Sequence, residues 1–298
     1  LLKRAEADLS EFEEKVKPII HAVRHEGDEA VARFARQFDK APVEANALAA
    51  TEADFARAEQ TLDPKVKEAL AFMATNIRKF HEDQKPEEMW FHEIRPGVFA
   101  GDRTTAIPSV ACYIPRGKGA FPSSVLMQSI PAHVAGVKGI CIITPPGPDG
   151  SIDDATLVAA RMAGVTRVFK AGGAQGIAAV AYGTATIPKC SKVVGPGSPW
   201  VGAAKRLCSH VIDVGTPAGP SELIVLADDT ADGRLAGLDL IIESEHGPDS
   251  SAFLVTWSRK VAEDAMAAIP EFWKQMGEQR VSYSSAVLGG KMGGIVLA

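Results

Sequence analysis

Glu243-x-Glu245-His246 closes the apolar stretch 235–242. Positions three apart on a helix share a face, so the Glu243 carboxylate and the His246 imidazole point the same way and can meet on one metal ion. Upstream, Ala218-Gly219-Pro220-Ser221-Glu222 leads into the strand-like run Leu223-Ile224-Val225-Leu226-Ala227. Together these segments suggest a metal-dependent enzyme. A solvated helix face is the plain alternative for a single Glu–His pair. Asp249 stands where a carboxylate could orient the imidazole from behind, with capping or solvation as its simpler role.

Three further loops are rich in Gly, Pro and small polar residues. Tyr113-Ile114-Pro115-Arg116-Gly117-Lys118-Gly119 and the serines Ser123-Ser124 combine free backbone N–H groups with two cations, which suits a phosphate. Ala171-Gly172-Gly173-Ala174-Gln175 and Gly195-Pro196-Gly197-Ser198-Pro199-Trp200 follow at later strand ends. None is the GxGxxG fingerprint or a P-loop. Tight βα turns explain any one of them; their succession at strand ends favours a ligand site.

The elements that must carry these loops are legible from periodicity. Residues 8–38 read as two helices divided at Gly27-Asp28, with Asp28 as the second cap, and 63–83 as another helix with Pro64 in its first turn. Residues 86–108 read as loop and short strands. From 109 onward strands alternate with helices: strands at 110–114, 139–144, 167–171, 192–194, 222–228 and 252–257, and helices at 122–136, 153–164, 174–183, 199–209, 232–246 and 259–276. Short β-branched runs between amphipathic helices predict an α/β fold with parallel sheets covered by helices on both faces. Residues 293–298 read as a buried strand interrupted mid-course, so the chain is expected to be C-terminally truncated.

Of the 298 residues, 46% are hydrophobic and 23% charged, enough for a sizeable core. A net charge of -5 without long like-charge runs makes no electrostatic case for nucleic acid. No run is long enough for a membrane span and no signal peptide is visible. Cys112, Cys141, Cys190 and Cys208 lack CxxC spacing and read as buried reduced thiols, which implies a cytoplasmic setting. His133 and the other isolated histidines have no partner at ligand spacing. Trp90, Trp257 and Trp273 read as core or interface packing.

The chain resembles the histidinol dehydrogenase family from Gly27-Asp28-Glu29-Ala30-Val31 to its end. The likeness is carried by Tyr-Ile-Pro at 113–115, Pro-Ser-Ser-Val-Leu-Met at 122–127, Ala-Gly-Gly-Ala-Gln-Gly-Ile-Ala at 171–178, Val-Gly-Pro-Gly at 194–197, Ala-Gly-Pro-Ser-Glu at 218–222 and Glu-His-Gly-Pro-Asp at 245–249. The resemblance implies a zinc enzyme that oxidises L-histidinol to L-histidine with two NAD, the last steps of histidine biosynthesis. It also implies two incomplete Rossmann-like domains and a homodimer: a discontinuous first domain (1–112 plus 222–298, the metal and substrate side) and a second, NAD-binding one (113–221). Tyr113 and Gln175 match NAD-contacting positions, Ser221 a substrate-contacting serine and His246 a zinc ligand. Glu243 stands where the family usually has a glutamine ligand, Ser198 where it has an asparagine touching NAD, and Arg116 where it has a glycine.

In the implied reaction the substrate is held on zinc, a histidine takes the alcohol proton and hydride passes to NAD. A glutamate-activated water then attacks the aldehyde, and a second hydride leaves. The resemblance places that Glu-His pair and two further zinc ligands beyond residue 298. No catalytic residue is therefore assigned within this chain, and it is expected to be inactive alone. The departures at Glu243, Ser198 and Arg116 leave open a related dehydrogenase acting on another polar alcohol, such as a sulfonated diol. A non-catalytic nucleotide-binding module is the alternative of a different class.

Overall fold

The computed structural model describes residues 9–216 and 221–298. They divide into two compact units, the described residues of one running from 9 to 216 and those of the other from 221 to 298.

The first unit opens with α1 (Ser10–Glu26) and α2 (Asp28–Phe34). Gly27, at φ 62°, both ends α1 and occupies the N-cap of α2. Asp28 is therefore not the cap expected from the sequence; its Oδ2 instead accepts a 2.7 Å hydrogen bond from Thr186 Oγ1. α2 continues into a π turn, Ala35–Asp39, ended by Lys40 in the left-handed region at φ 57°. α3 (Glu52–Thr61), absent from the sequence reading, starts on a reciprocal capping box between Thr51 and Asp54. α4 (Pro64–Gln84) starts on an Asp63 side-chain bond to the Lys65 amide. An antiparallel hairpin follows, β1 (Met89–Arg95) with β2 (Val98–Arg103).

The sheet of this unit is built from β3 (Ser109–Tyr113), β4 (Gly139–Thr144), β5 (Val168–Lys170) and β6 (Lys192–Val194). All pairs are parallel, in the order β5-β4-β3-β6. From β3 through β5 the chain steps one way; it then returns past β3 to lay down β6. Helices α5 (Pro122–Val134) and α6 (Asp154–Met162) pack on one face, and α7 (Gly173–Tyr182) with α8 (Pro199–Cys208) on the other.

Strand periodicity divides the core accordingly. Val110, Cys112, Ile140 and Ile142 pack with α5, α6 and residues Phe55 and Leu70 of α3 and α4. Their neighbours Ala111, Tyr113, Cys141 and Ile143 pack with α7 and α8. Ile142 and Ile143 are both fully buried, each contributing about 2 kcal/mol, so both faces fix the register.

Val16, Ile19, Val23 and Val31 of α1 and α2 join the same core as Ile177 and Val201. Residues 9–112 therefore group with 113–216. The expectation that 1–112 would pair with 222–298 is corrected by this packing, which local sequence pattern does not encode.

The second unit consists of β7 (Glu222–Ala227), α9 (Gly233–Ser244), β8 (Ser251–Thr256), α10 (Arg259–Trp273), α11 (Glu278–Leu288) and β9 (Gly293–Leu297). The order β7-β8-β9 never reverses, so both crossovers fall on one face. There Leu240, Ile241, Val261, Ala265, Ile269 and Val287 cover Ala227, Ala252 and Leu254. On the opposite face Ile224 and Leu226 are 68% and 73% exposed. Helical cover on both faces is thus a property of the four-stranded sheet.

The four cysteines are free and buried. Trp90 and Trp257 are exposed, so neither lies in the core of this chain, whereas the Trp273 indole N–H donates to Ser284 Oγ. Among the described residues no helix is long and apolar enough to cross a membrane.

Candidate functional site

The reversal of strand order between β3 and β6 creates a switch point. The loops leaving two adjacent parallel strands diverge to opposite faces there, opening a crevice beyond the strand ends. Tyr113 ends β3, and Gly195 follows the last residue of β6. Gly195 sits at φ 111°, and a Cβ there would penetrate the Tyr113 carbonyl oxygen, so the two loops part from close backbone contact. Lys205 Nζ donates to the Gly195 carbonyl at 2.6 Å and holds this arrangement from α8; burial lowers its pKa. The Gln128 side-chain amide of α5 donates to the Tyr113 carbonyl at 3.2 Å, leaving the buried Gln128 Oε1 without a hydrogen-bond partner.

Two sequence-predicted residues meet at this edge. The Tyr113 hydroxyl accepts from the Gly173 backbone N–H at 3.3 Å, at the first residue of α7. Gln175, only 2% exposed, lies in the same helical turn, and a Cβ on Gly173 would stand 2.8 Å from its Oε1. Burial pushes the Tyr113 phenol up to about 12, with the Asp39 charge adding to the rise, so the hydroxyl stays protonated. Ser198, the third, is the N-cap of α8 but makes no side-chain capping bond and is exposed.

Asp39 was not anticipated. The π turn brings its carboxylate to Gln175, whose Nε2 donates to Asp39 Oδ2 at 3.4 Å. Burial raises the Asp39 pKa to about 6, while the Arg116 guanidinium works against the rise. Phe38-Asp39-Lys40 carries no motif that would single the residue out; its signal is burial and a contact 136 positions away.

An anionic dinucleotide fits this edge. The α7 N-terminus opens on Gly172 and that of α8 on Ser198-Pro199, neither closed by a side-chain cap. A cavity of about 940 Å³ is lined by Gln128 and Val194 together with apolar groups such as Val110, Met127, Pro131 and Val137; Tyr113, Gln175 and Ser198 do not line it.

The metal-side residues lie in the second unit. α9 ends at Ser244, with Glu245 as its C-cap, and the His246 N–H donates to the Glu243 carbonyl at 3.2 Å. That three-residue bond tightens the final turn, and positions three apart stack in such a turn. The expected continuous helix over 243–246 is therefore a helix end followed by a turn.

α11 positions this turn. Arg280 Nη1 donates to the Glu245 carbonyl at 3.1 Å, and buried Ser284 pairs with Ser244 Oγ at 2.7 Å. Glu243 is half-buried and His246 exposed. Ser221 precedes β7, and its carbonyl accepts from the Ser251 N–H. The rest of the predicted loop, 218–220, lies outside the described residues.

Glu243 and His246 are donors of the kinds zinc takes. Among the described residues, no three His, Cys, Asp or Glu side chains gather to hold a metal. Glu243 and His246 by themselves offer two donor groups, against the four that a structural zinc site takes.

Comparison with known proteins places the fold. The family model for histidinol dehydrogenase matches residues 2–297. A histidinol dehydrogenase homolog from Rhizobium meliloti is 63% identical over 297 residues, covering 100% of this chain and 65% of its own length. Histidinol dehydrogenase from Synechocystis sp. is 48% identical over 297 residues, covering 100% of this chain and 68% of its own. The crystal structure of histidinol dehydrogenase from Elizabethkingia anophelis superposes with a TM-score of 0.84 at 32% identity, covering 100% of this chain and 66% of that one. The chain therefore spans about two thirds of the length of the relatives it matches. With a matching family model over nearly all its residues, this chain belongs to the histidinol dehydrogenase family.

Proposed function

We propose that the protein is a zinc- and NAD-dependent dehydrogenase that oxidises L-histidinol to L-histidine, consuming two NAD. The observation that carries this reading is the β3/β6 switch point, where Tyr113 and Gln175 meet at the open N-terminus of α7. In this reading Tyr113, Gln175 and Ser198 contact NAD, which supplies the hydride acceptor. Ser221 contacts the substrate, and Glu243 and His246 give two zinc ligands. Zinc, when bound by a full ligand set, supplies Lewis acidity at the alcohol. The protein works as a cytoplasmic homodimer when full length.

A second reading keeps the chemistry and changes the substrate to another polar alcohol, such as a sulfonated diol. Glu243 favours it, because a carboxylate in place of a neutral amide binds zinc more strongly but leaves it less electrophilic. Assaying the full-length protein with NAD on L-histidinol and on polar diols separates the two. Turnover of histidinol supports the first reading; turnover of a diol alone supports the second. NADH from neither overturns both.

A further inference from the structure

Gln175 is buried, and a carboxamide alone does not choose which of its ends faces which neighbour, since its oxygen and nitrogen are nearly isosteric. Asp39 makes the choice. An ionised carboxylate only accepts, so it draws Nε2 toward itself at 3.4 Å and leaves Oε1 against Gly173 at the α7 N-terminus. The π turn of residues 35–39 and left-handed Lys40 aim Asp39 at this point, the kind of backbone irregularity that clusters at functional sites.

We propose that Asp39 is a positioning residue for the cofactor, holding the Gln175 carboxamide in the orientation that receives NAD. This rests on the NAD site proposed above. A protonated Asp39 can donate as well as accept, so Gln175 can then turn its oxygen toward Asp39 and present nitrogen at the crevice. The charged and titratable groups that act on Asp39 are few. The Arg116 guanidinium faces Asp39, the Tyr113 phenol is pushed up to about 12, and Asp149, which also feels Arg116, is held below the usual carboxylate range by Ser151.

Calorimetric titration of NAD into this chain, wild type and Asp39→Asn, between pH 5 and pH 8 tests the proposal. The wild type should lose about tenfold in affinity between pH 8 and pH 5, since the ionised fraction falls about tenfold over one unit below the pKa. Asp39→Asn should bind about tenfold more weakly than wild type at pH 8 and show no pH dependence. Its melting temperature at pH 8 should equal or exceed that of wild type, which separates positioning from damage to the fold. Equal NAD affinity of the two proteins at pH 8, or a wild-type affinity flat with pH, overturns the role of Asp39. Failure of the wild type itself to bind NAD overturns the cofactor reading as well, an outcome distinct from binding that ignores the substitution.

Discussion

Asp39 shows what a half-buried carboxylate costs the fold that holds it. Its pKa stands at about 6 in the folded state against an ordinary 3.8, because desolvation outweighs the pull of Arg116. A group raised on folding is best tolerated while protonated: its contribution is fully present below about pH 4 and is lost as pH rises through about 6. A rise from 3.8 to about 6 corresponds to about 3 kcal/mol, discounted to about 2 kcal/mol for the part that water still reaches. Asp39→Asn should therefore raise the urea midpoint at pH 8, with a gain that shrinks toward pH 5. An equal midpoint at both pH values contradicts the desolvation argument. Glu243→Gln in the full-length protein tests the other half-site: zinc affinity should fall about tenfold, roughly 1.4 kcal/mol, as a charged donor becomes neutral. Unchanged zinc retention on dialysis against a chelator would remove Glu243 from the ligand set.

At the scale of elements, the loops depend on turns that permit little substitution. Gly195→Ala puts a side chain into the Tyr113 carbonyl at φ 111°, so it should destabilise by at least about 2 kcal/mol in urea titration. Leu240→Ala, in the core behind the Glu243 turn, should cost about 3 kcal/mol through the cavity it leaves. The parallel strands were legible because β-branched runs such as Ile140–Thr144 stand between helices of clear period. α11 was not, because its buried face is Ser284 with Val287, and serine gives no apolar period to read. α3 escaped for a related reason: its cap at Thr51 is recognisable, but only Phe55 and Ala58 are buried along its length. At Gly27-Asp28 the break was visible, whereas the partner of Asp28, Thr186, was not, since 158 residues separate them.

At the scale of the molecule, the same limit explains the grouping of 9–112 with the four-stranded sheet. An amphipathic stripe states that a helix is covered, not what covers it. The site residues that could be read were those in Gly- and Pro-rich loops; Asp39, supplied by an irregular turn, could not. The uncovered face of the three-stranded sheet has a consequence for this chain in solution. Ile224 and Leu226 should drive self-association, and replacing both with serine should reduce light scattering without lowering the melting temperature, since neither is buried. The most direct measurement of the function is the number of NADH formed per L-histidinol consumed by the full-length protein. Two NADH for each histidinol, with histidine as the product, is the predicted result. No NADH, or one per histidinol with the aldehyde released, would contradict it.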